Sequence, residues 1–354
     1  MLQRLILLSL SLTTITATAF ILPPSITTSP TRTFTKLNSS TSSSSYDLSL
    51  FSPCKVNLFL RIIRKRPDGF HDLASLFQTI AFGDTLHLKL LEESDEDVNT
   101  LTDDVFECNM EDVPTDKSNL VLKALDLMRD KTGCQKFFKA KLVKQVPAQA
   151  GLGGGSANAA TAMFGANELM GRPATLDQLI EWSGDLGSDI TFFLSQGTAY
   201  CTGRGEILDP ITPSPFSSET KICIVKPKNI GLSTPSVFRA LDYDKLSSRD
   251  PQELLDTFLE KGVLGVEKND YVNDLEDPAF RVVPELLALK NEVEECGFDF
   301  VMMSGSGTSL FGLGGGDDAI EKTRERFTGR DDVSIFETNF LSRGEGWFEG
   351  EIME

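Results

Sequence analysis

The chain has 354 residues, 40% of them hydrophobic, with 52 acidic against 34 basic side chains and a net charge of −18. A field of that sign opposes nucleic-acid binding, whose affinity comes largely from basic groups on phosphates. It permits a nucleotide ligand, because distant charges are screened over about 8 Å at physiological salt while backbone N–H groups act at contact.

Residues 1–46 carry three bases and no acid, which leaves −21 for the rest. Met1 to Leu12 has one positive charge and a short apolar run, and Ala17-Thr-Ala19 before Phe20 reads as a cleavage site, so this is a signal peptide, too short to span a membrane. Pro23 to Ser45 is rich in Ser and Thr, with Arg32 and Lys36, the composition of an organelle transit segment. In series the two resemble the bipartite presequence of plastids enclosed by secretory membranes. That predicts a plastid, stromal destination and no membrane association after processing; a secreted protein with a Ser/Thr linker is the alternative. Six scattered cysteines without a Cys-x-x-Cys pair read as reduced thiols, which suits a stroma.

The first strand is expected over Ser52 to Ile62. Alternation puts Val56, Leu58, Leu60 and Ile62 on one face and Lys55, Asn57, Phe59 and Arg61 on the other, either a solvated face or a functional one. Pro67-Asp-Gly69 is a turn presenting Phe70 and His71, with Phe70 packed inward or displayed for stacking. The chain has one other histidine, His87, so a His-rich zinc site is disfavoured. Leu73 to Leu91 reads as strands broken at Gly83-Asp84. Glu92 to Asp116 is acidic and weakly patterned, a loop or edge hairpin with no assignable chemistry. Asn119 caps a helix running from Leu120 to about Lys131.

A strand then leads through Pro147 into Gly151-Leu-Gly-Gly-Gly-Ser-Ala157 and an Ala-rich helix. Unpaired N–H groups and the positive end of a helix dipole attract an anion, and glycines let it approach closely, so this geometry binds phosphate. Neither the P-loop nor the dinucleotide pattern fits. A glycine turn without a ligand is the plain alternative. Thr175 caps a second helix over Leu176 to Gly184. Asp189 is either the cap of a short helix or a carboxylate held in a cleft.

Pro210, Pro213 and Pro215 mark a boundary that divides the mature chain into residues 47–215 and 216–354. Beyond it, strands and helices read as a split βαβ, ferredoxin-like arrangement with inserted helices. Its hairpin carries Ser304-Gly-Ser-Gly-Thr308, a second glycine- and hydroxyl-rich turn, which suggests a cleft with phosphate contacts from both halves.

Four separated motifs share order and spacing with one family. Pro53-Cys-Lys-Val-Asn-Leu-Phe-Leu60, Arg66-Pro-Asp-Gly-Phe-His71 with Leu76 to Thr79, Pro147 to Ala160 with Gly187-Ser-Asp189, and Ser304 to Thr308 resemble the GHMP small-molecule kinases. The resemblance implies an α+β fold with an N-terminal ribosomal-S5-like domain and a C-terminal ferredoxin-like domain. It implies ATP with Mg²⁺, and 4-diphosphocytidyl-2-C-methyl-D-erythritol as the alcohol. Lys55 and Asp189 match the catalytic pair. Pro147, Ala148, Gln149, Ala150, Gly151, Leu152, Gly153, Gly154, Gly155, Ser156 and Ala157 match the ATP-phosphate loop, and Asn119 a position near the adenine. Asn57, Phe70 and His71 match the substrate side, with Phe70 and Phe238 as walls for the cytosine. No metal ligand is assigned, and monomer and homodimer are equally compatible. Phe70 stands where Tyr is usual, and Ala157 where a second Ser is usual. The rival readings are a homoserine- or mevalonate-type kinase and a non-catalytic nucleotide- or RNA-binding module.

Overall fold

A computed structural model describes residues 46–93, 95 and 102–342. Apart from Tyr46, the presequence reading lies outside the described residues. No helix among them is long and apolar enough to cross a membrane.

Two long strands organise the first half. β1 (Leu48–Lys65) and β2 (His71–Leu90), rich in Leu, Ile, Phe and Val, form an antiparallel hairpin from Leu48 opposite Leu88 to Lys65 opposite His71. The other edge of β2 is divided between two partners. β5 (Thr198–Gly203) pairs along Leu73–Gln78, and β4 (Phe138–Val143) along Thr85–Leu90. β3 (Val105–Cys108) lies parallel to β4 and β6 (Ile207–Pro210) antiparallel to β5, completing a six-stranded sheet. The helices α1 (Leu120–Thr132), α2 (Gly154–Leu169), α3 (Leu176–Ser183) and α4 (Ser188–Phe193) belong to this half. Met128, Phe138, Ala160, Met163 and Phe192 join in its core.

The second half is a four-stranded antiparallel sheet in the order β10-β7-β9-β8, built from β7 (Lys221–Pro227), β8 (Phe300–Met303), β9 (Leu310–Leu313) and β10 (Val333–Asn339). That is the ferredoxin-like order expected from the sequence. α5 (Thr234–Arg239), α6 (Pro251–Lys261), α7 (Glu276–Val282) and α8 (Glu285–Glu294) fall between β7 and β8, and α9 (Gly316–Phe327) between β9 and β10. Val56, Phe59 and Ile80 of the first sheet share one core with Ile222, Ile224 and Phe311 of the second. The described residues pack accordingly as one compact unit.

Three local expectations are corrected. Asn57 pairs with Phe77 but Phe59 with Leu76, so Leu58 is an extra residue and the inward and outward faces exchange there. Phe59 therefore leaves the Lys55 face and packs on Tyr200 and Phe258, and Arg61 pairs with Asp274 at 2.9 Å. Gly83-Asp84 does not break the strand. A Cβ on Gly83 would stand 2.3 Å from the Ser52 carbonyl, so the glycine lets the backbone of β1 press against β2. The acidic stretch contains the edge strand β3, anchored by buried Asp104, which accepts from Arg129 and from the Phe138 N–H.

Candidate active site

The glycine loop is shaped by contacts that only glycine tolerates. Gly151 has φ +74°, and a Cβ there would meet the Ser304 carbonyl at 2.1 Å, so the Ser304–Thr308 turn can press directly on the loop. Thr308 and Ser309 donate their N–H groups to the carbonyls of Gln149 and Ala150, and the Ser304 hydroxyl donates to the Gly151 carbonyl. The N–H of Lys55 donates to the Leu152 carbonyl at 3.0 Å, which seats the loop against β1. The loop thus gives up its carbonyls to neighbours, while the N–H groups of Gly151 to Ser156 donate to nothing among the described residues. They open at the start of α2, whose first turn holds no acidic residue. Such an arrangement of free donors can receive an anion.

Asp84 fixes the approach to that loop. Its carboxylate accepts from the N–H groups of Gln145 and Val146 at 2.7 and 2.8 Å, from Asn158 of α2 at 2.9 Å, and from the Lys144 ammonium. One buried acid therefore ties β2, the exit of β4 and the first turns of α2 together. Asp112, Val113, Pro114 and Ser118 join Asn119, Lys144 and the loop around the same groove.

On the other side of the loop stands Lys55, 4% exposed, with its Nζ 3.7 Å from Asp189 Oδ2 and 2.7 Å from Asn57 Oδ1. Asn57 donates in turn to the Ser75 hydroxyl at 2.8 Å, and Phe77 lies under the ammonium, 4.5 Å from its ring centre. Burial pushes the Lys55 pKa down from its ordinary 10.5, and Asp189 opposes that shift. Asp189 lies in the first turn of α4 without a capping hydrogen bond, so it is not a cap, and its side chain is 34% exposed. Gly305, Ser306 and Gly307 of the second glycine turn line the same pocket.

Next to this pair opens a cavity of about 800 Å³ lined by Phe70, His71, Phe238, Tyr243 and Arg204 among others. Phe70 is displayed, 56% exposed. His71 is held by the Tyr243 hydroxyl at 2.7 Å and lies 4.8 Å from the Phe238 ring. Burial first, then Lys65, holds the His71 imidazole below its ordinary 6.5.

Residues 119–197 match the N-terminal domain of GHMP kinases, and residues 266–330 their C-terminal domain. A chloroplastic 4-diphosphocytidyl-2-C-methyl-D-erythritol kinase of Oryza sativa subsp. japonica is 45% identical over 310 residues, covering 86% of this chain and 74% of that protein. The 4-diphosphocytidyl-2-C-methyl-D-erythritol kinase of Protochlamydia amoebophila (strain UWE25) is also 45% identical, over 77% of this chain and 86% of that protein. The chain belongs to the 4-diphosphocytidyl-2-C-methyl-D-erythritol kinase family. A crystal structure titled 4-(cytidine 5'-diphospho)-2C-methyl-D-erythritol kinase superposes with a TM-score of 0.68 at 28% identity, over 84% of this chain and all of that one.

Within this member of the GHMP kinases, Lys55 and Asp189 come together as expected, and Pro147 to Ser156 line one groove. Of three further expected residues, Asn119 lines the groove and Asn57 the catalytic pocket, while Ala157 lines neither. Ala157 is fully buried in the core behind the loop and lines no part of the groove. Asn119 accepts from the Val121 N–H and donates to the Pro114 carbonyl, so its side chain is spent on capping α1 and holding the groove wall. Asn57 spends its amide on Lys55 and Ser75, orienting the lysine. Asp84, Lys144, Tyr243, Arg204 and the Asp112–Pro114 segment were not legible as site residues. Gly83-Asp84 read only as a break between strands, and the other positions carry no local signature.

Proposed function

We propose that this chain transfers the γ-phosphoryl group of ATP to the 2-hydroxyl of 4-diphosphocytidyl-2-C-methyl-D-erythritol, a step of the methylerythritol phosphate route to isoprenoids. The observation that carries the reading is the 3.7 Å approach of Lys55 Nζ to Asp189 Oδ2, with a free-donor glycine loop on one side and an aromatic-lined cavity on the other.

Phosphoryl transfer asks the protein for in-line positioning, neutralisation of charge and a destination for one proton. The amides of Gly151 to Ser156 hold the phosphate tail of ATP. The substrate hydroxyl attacks the γ-phosphorus as its bond to the β-bridging oxygen breaks; Asp189 takes the hydroxyl proton and ADP leaves. Lys55, fixed by Asn57 and by Asp189, lays a positive charge beside the oxygens on which negative charge grows. Bound with the nucleotide, Mg²⁺ would supply positive charge against the phosphate oxygens. The residues of this groove that would hold it are the Asp112 carboxylate and the Ser156 hydroxyl, a small donor set of the kind suited to an ion that keeps water and phosphate as its other ligands.

The aromatic cavity favours a substrate with a flat base over homoserine or mevalonate, which would leave the Phe70 ring nothing to stack on. The plant relative's chloroplastic name and the composition of residues 1–46 support action in the plastid stroma. One assay tests the reading: purified protein with ATP and Mg²⁺, offered 4-diphosphocytidyl-2-C-methyl-D-erythritol, homoserine and mevalonate in parallel. Phosphorylation of the first alone is expected; turnover of either of the others at a comparable kcat/KM would overturn it.

A further inference from the structure

The aromatic cavity and the catalytic pocket are not separate chambers. Leu73, Ser188, Arg204, Thr234, Pro235 and Phe238 line both, and Arg204 is the charged residue among them. It sits between Gly203 and Gly205, whose φ values of +70° and +111° make a tight turn at the end of β5. A Cβ on Gly205 would stand 3.5 Å from Asp189 Oδ1, so the turn that carries Arg204 rests against the carboxylate of the catalytic pair. Its guanidinium reaches the other way and lies 5.3 Å from the centre of the Phe70 ring. One residue thus spans the distance from the reacting end of the site to the displayed aromatic.

The guanidinium has donors to spare. Nε is 3.4 Å from Glu206 Oε1, whereas Nη1 and Nη2 donate to nothing among the described residues, and the side chain is 41% exposed. The surrounding charge points the same way. In a chain with 52 acidic and 34 basic residues, this cavity is lined by Lys65, Arg204 and Arg239 against one acid, Asp185. Asp185 is already paired with Lys131 at 3.2 Å, and neither Lys65 nor Arg239 has an ion-pair partner among the described residues. An acidic protein that gathers unpaired cations at one cavity is suited to an anion there.

We propose that Arg204 binds the diphosphate of the substrate and selects a nucleotide-linked alcohol over a free one. The proposal rests on the function assigned above. A molecule with its base among Phe70, His71 and Phe238 and its hydroxyl at Asp189 must pass the linking diphosphate through the neck where Arg204 stands. The planar guanidinium matches phosphate oxygens as a two-pronged donor, which a lysine cannot do as well. Meanwhile its contact with Phe70 keeps that ring in place for the base.

The experiment measures CDP and cytidine binding to the full chain by titration calorimetry, with the ATP site saturated by a non-hydrolysable analogue so that both ligands report on the substrate cavity. Arg204→Gln is expected to weaken CDP about 10- to 100-fold, the worth of a charge-assisted contact. Cytidine should change less than about threefold, the scale of an exposed cation–π contact, and Arg204→Lys should recover part of the CDP affinity. Equal losses for CDP and cytidine would overturn the proposal by reducing Arg204 to a support for Phe70, and no loss for either would overturn it outright. The function itself is read separately, from wild-type turnover of 4-diphosphocytidyl-2-C-methyl-D-erythritol. A wild type that discriminates CDP from cytidine through Arg204 yet does not phosphorylate that alcohol would sink the function and leave the diphosphate site standing.

Discussion

The ammonium of Lys55, in the middle of β1, stands 3.7 Å from the carboxylate of Asp189, in the first turn of α4, with the glycine loop between them in sequence and beside them in space. The lysine is buried and hydrogen-bonded to Asn57, whereas the aspartate is partly open to the cleft. That asymmetry suits one group that stays charged in place and another that exchanges a proton with substrate.

Asp189→Asn keeps the size and polarity of the side chain and removes the proton acceptor. The variant is expected to lose about 10²–10⁴ in kcat while thermal stability and ATP affinity persist, since Asp189 caps nothing. Stopped assays with calorimetric ATP binding decide this; full turnover in Asp189→Asn would rule out the aspartate as base. The substitution also removes the charge that opposes the downward shift of Lys55, so the lysine should titrate at still lower pH in the variant, visible by NMR of its Nζ.

Phe70 is displayed rather than packed, so Phe70→Ala should cost little stability. A base stacked on an aromatic is worth about 1–3 kcal/mol, which predicts roughly a 5- to 150-fold rise in KM for the cytidyl substrate. The KM for ATP should stay within about twofold. Equal effects on both substrates would place the cytosine elsewhere.

Glycines in one loop are not interchangeable. Gly153 has φ +70°, and a Cβ there would stand 2.8 Å from Phe193 Cζ and 3.2 Å from Lys55 Cγ. Gly153→Ala should therefore lose about 2–5 kcal/mol, from the left-handed backbone and from crowding together. Gly155 lies in α2, where a Cβ would meet Leu120 Cδ1 at an ordinary 3.7 Å. Gly155→Ala should gain about 0.5–1 kcal/mol instead. Urea unfolding of the two variants reads the contrast directly.

The chain has two histidines, and both are held below the ordinary 6.5, His71 by burial and then Lys65, His87 by burial and then Lys141. A base with a depressed folded pKa binds fewer protons folded than unfolded between the two values. Its contribution is complete above 6.5 and is lost as pH falls from there through the folded value. Two imidazole NMR signals should accordingly titrate with midpoints below 6.5. CDP should perturb His71, which lines the cavity, and leave His87, hydrogen-bonded to Ser49 on the β1–β2 hairpin, unmoved. A His71 midpoint at or above 6.5 would refute its burial beside Lys65.

Much of this protein is decided locally and was legible from residues alone. The glycine loop needs backbone that L side chains avoid, the helix after it needs Ala-rich sequence, and the second half shows the succession of strands and helices of a split βαβ arrangement. Hence the loop from Pro147 to Ser156 and the ferredoxin-like half could be read from the residues, whereas Lys55 and Asp189 each left a plainer reading open and were paired only through the resemblance to the GHMP kinases. What depended on distance in the chain could not. Nothing local to Leu58 announces a bulge that turns Phe59 away from Lys55, because register is settled by the partner strand. Nothing beside Gly83 announces that Asp84 will accept from both the exit of β4 and α2. Asn57 matched a binding position, yet its amide is engaged by Lys55 and Ser75, a matter of which partner lies within hydrogen-bonding reach. Arg204 acquires a role only because β5 ends where two pockets meet. The sequence by itself determined which backbone could cradle a phosphate and which side chains could carry the chemistry; the tertiary structure alone decided which of them face one another, since contact between remote residues is a property of packing.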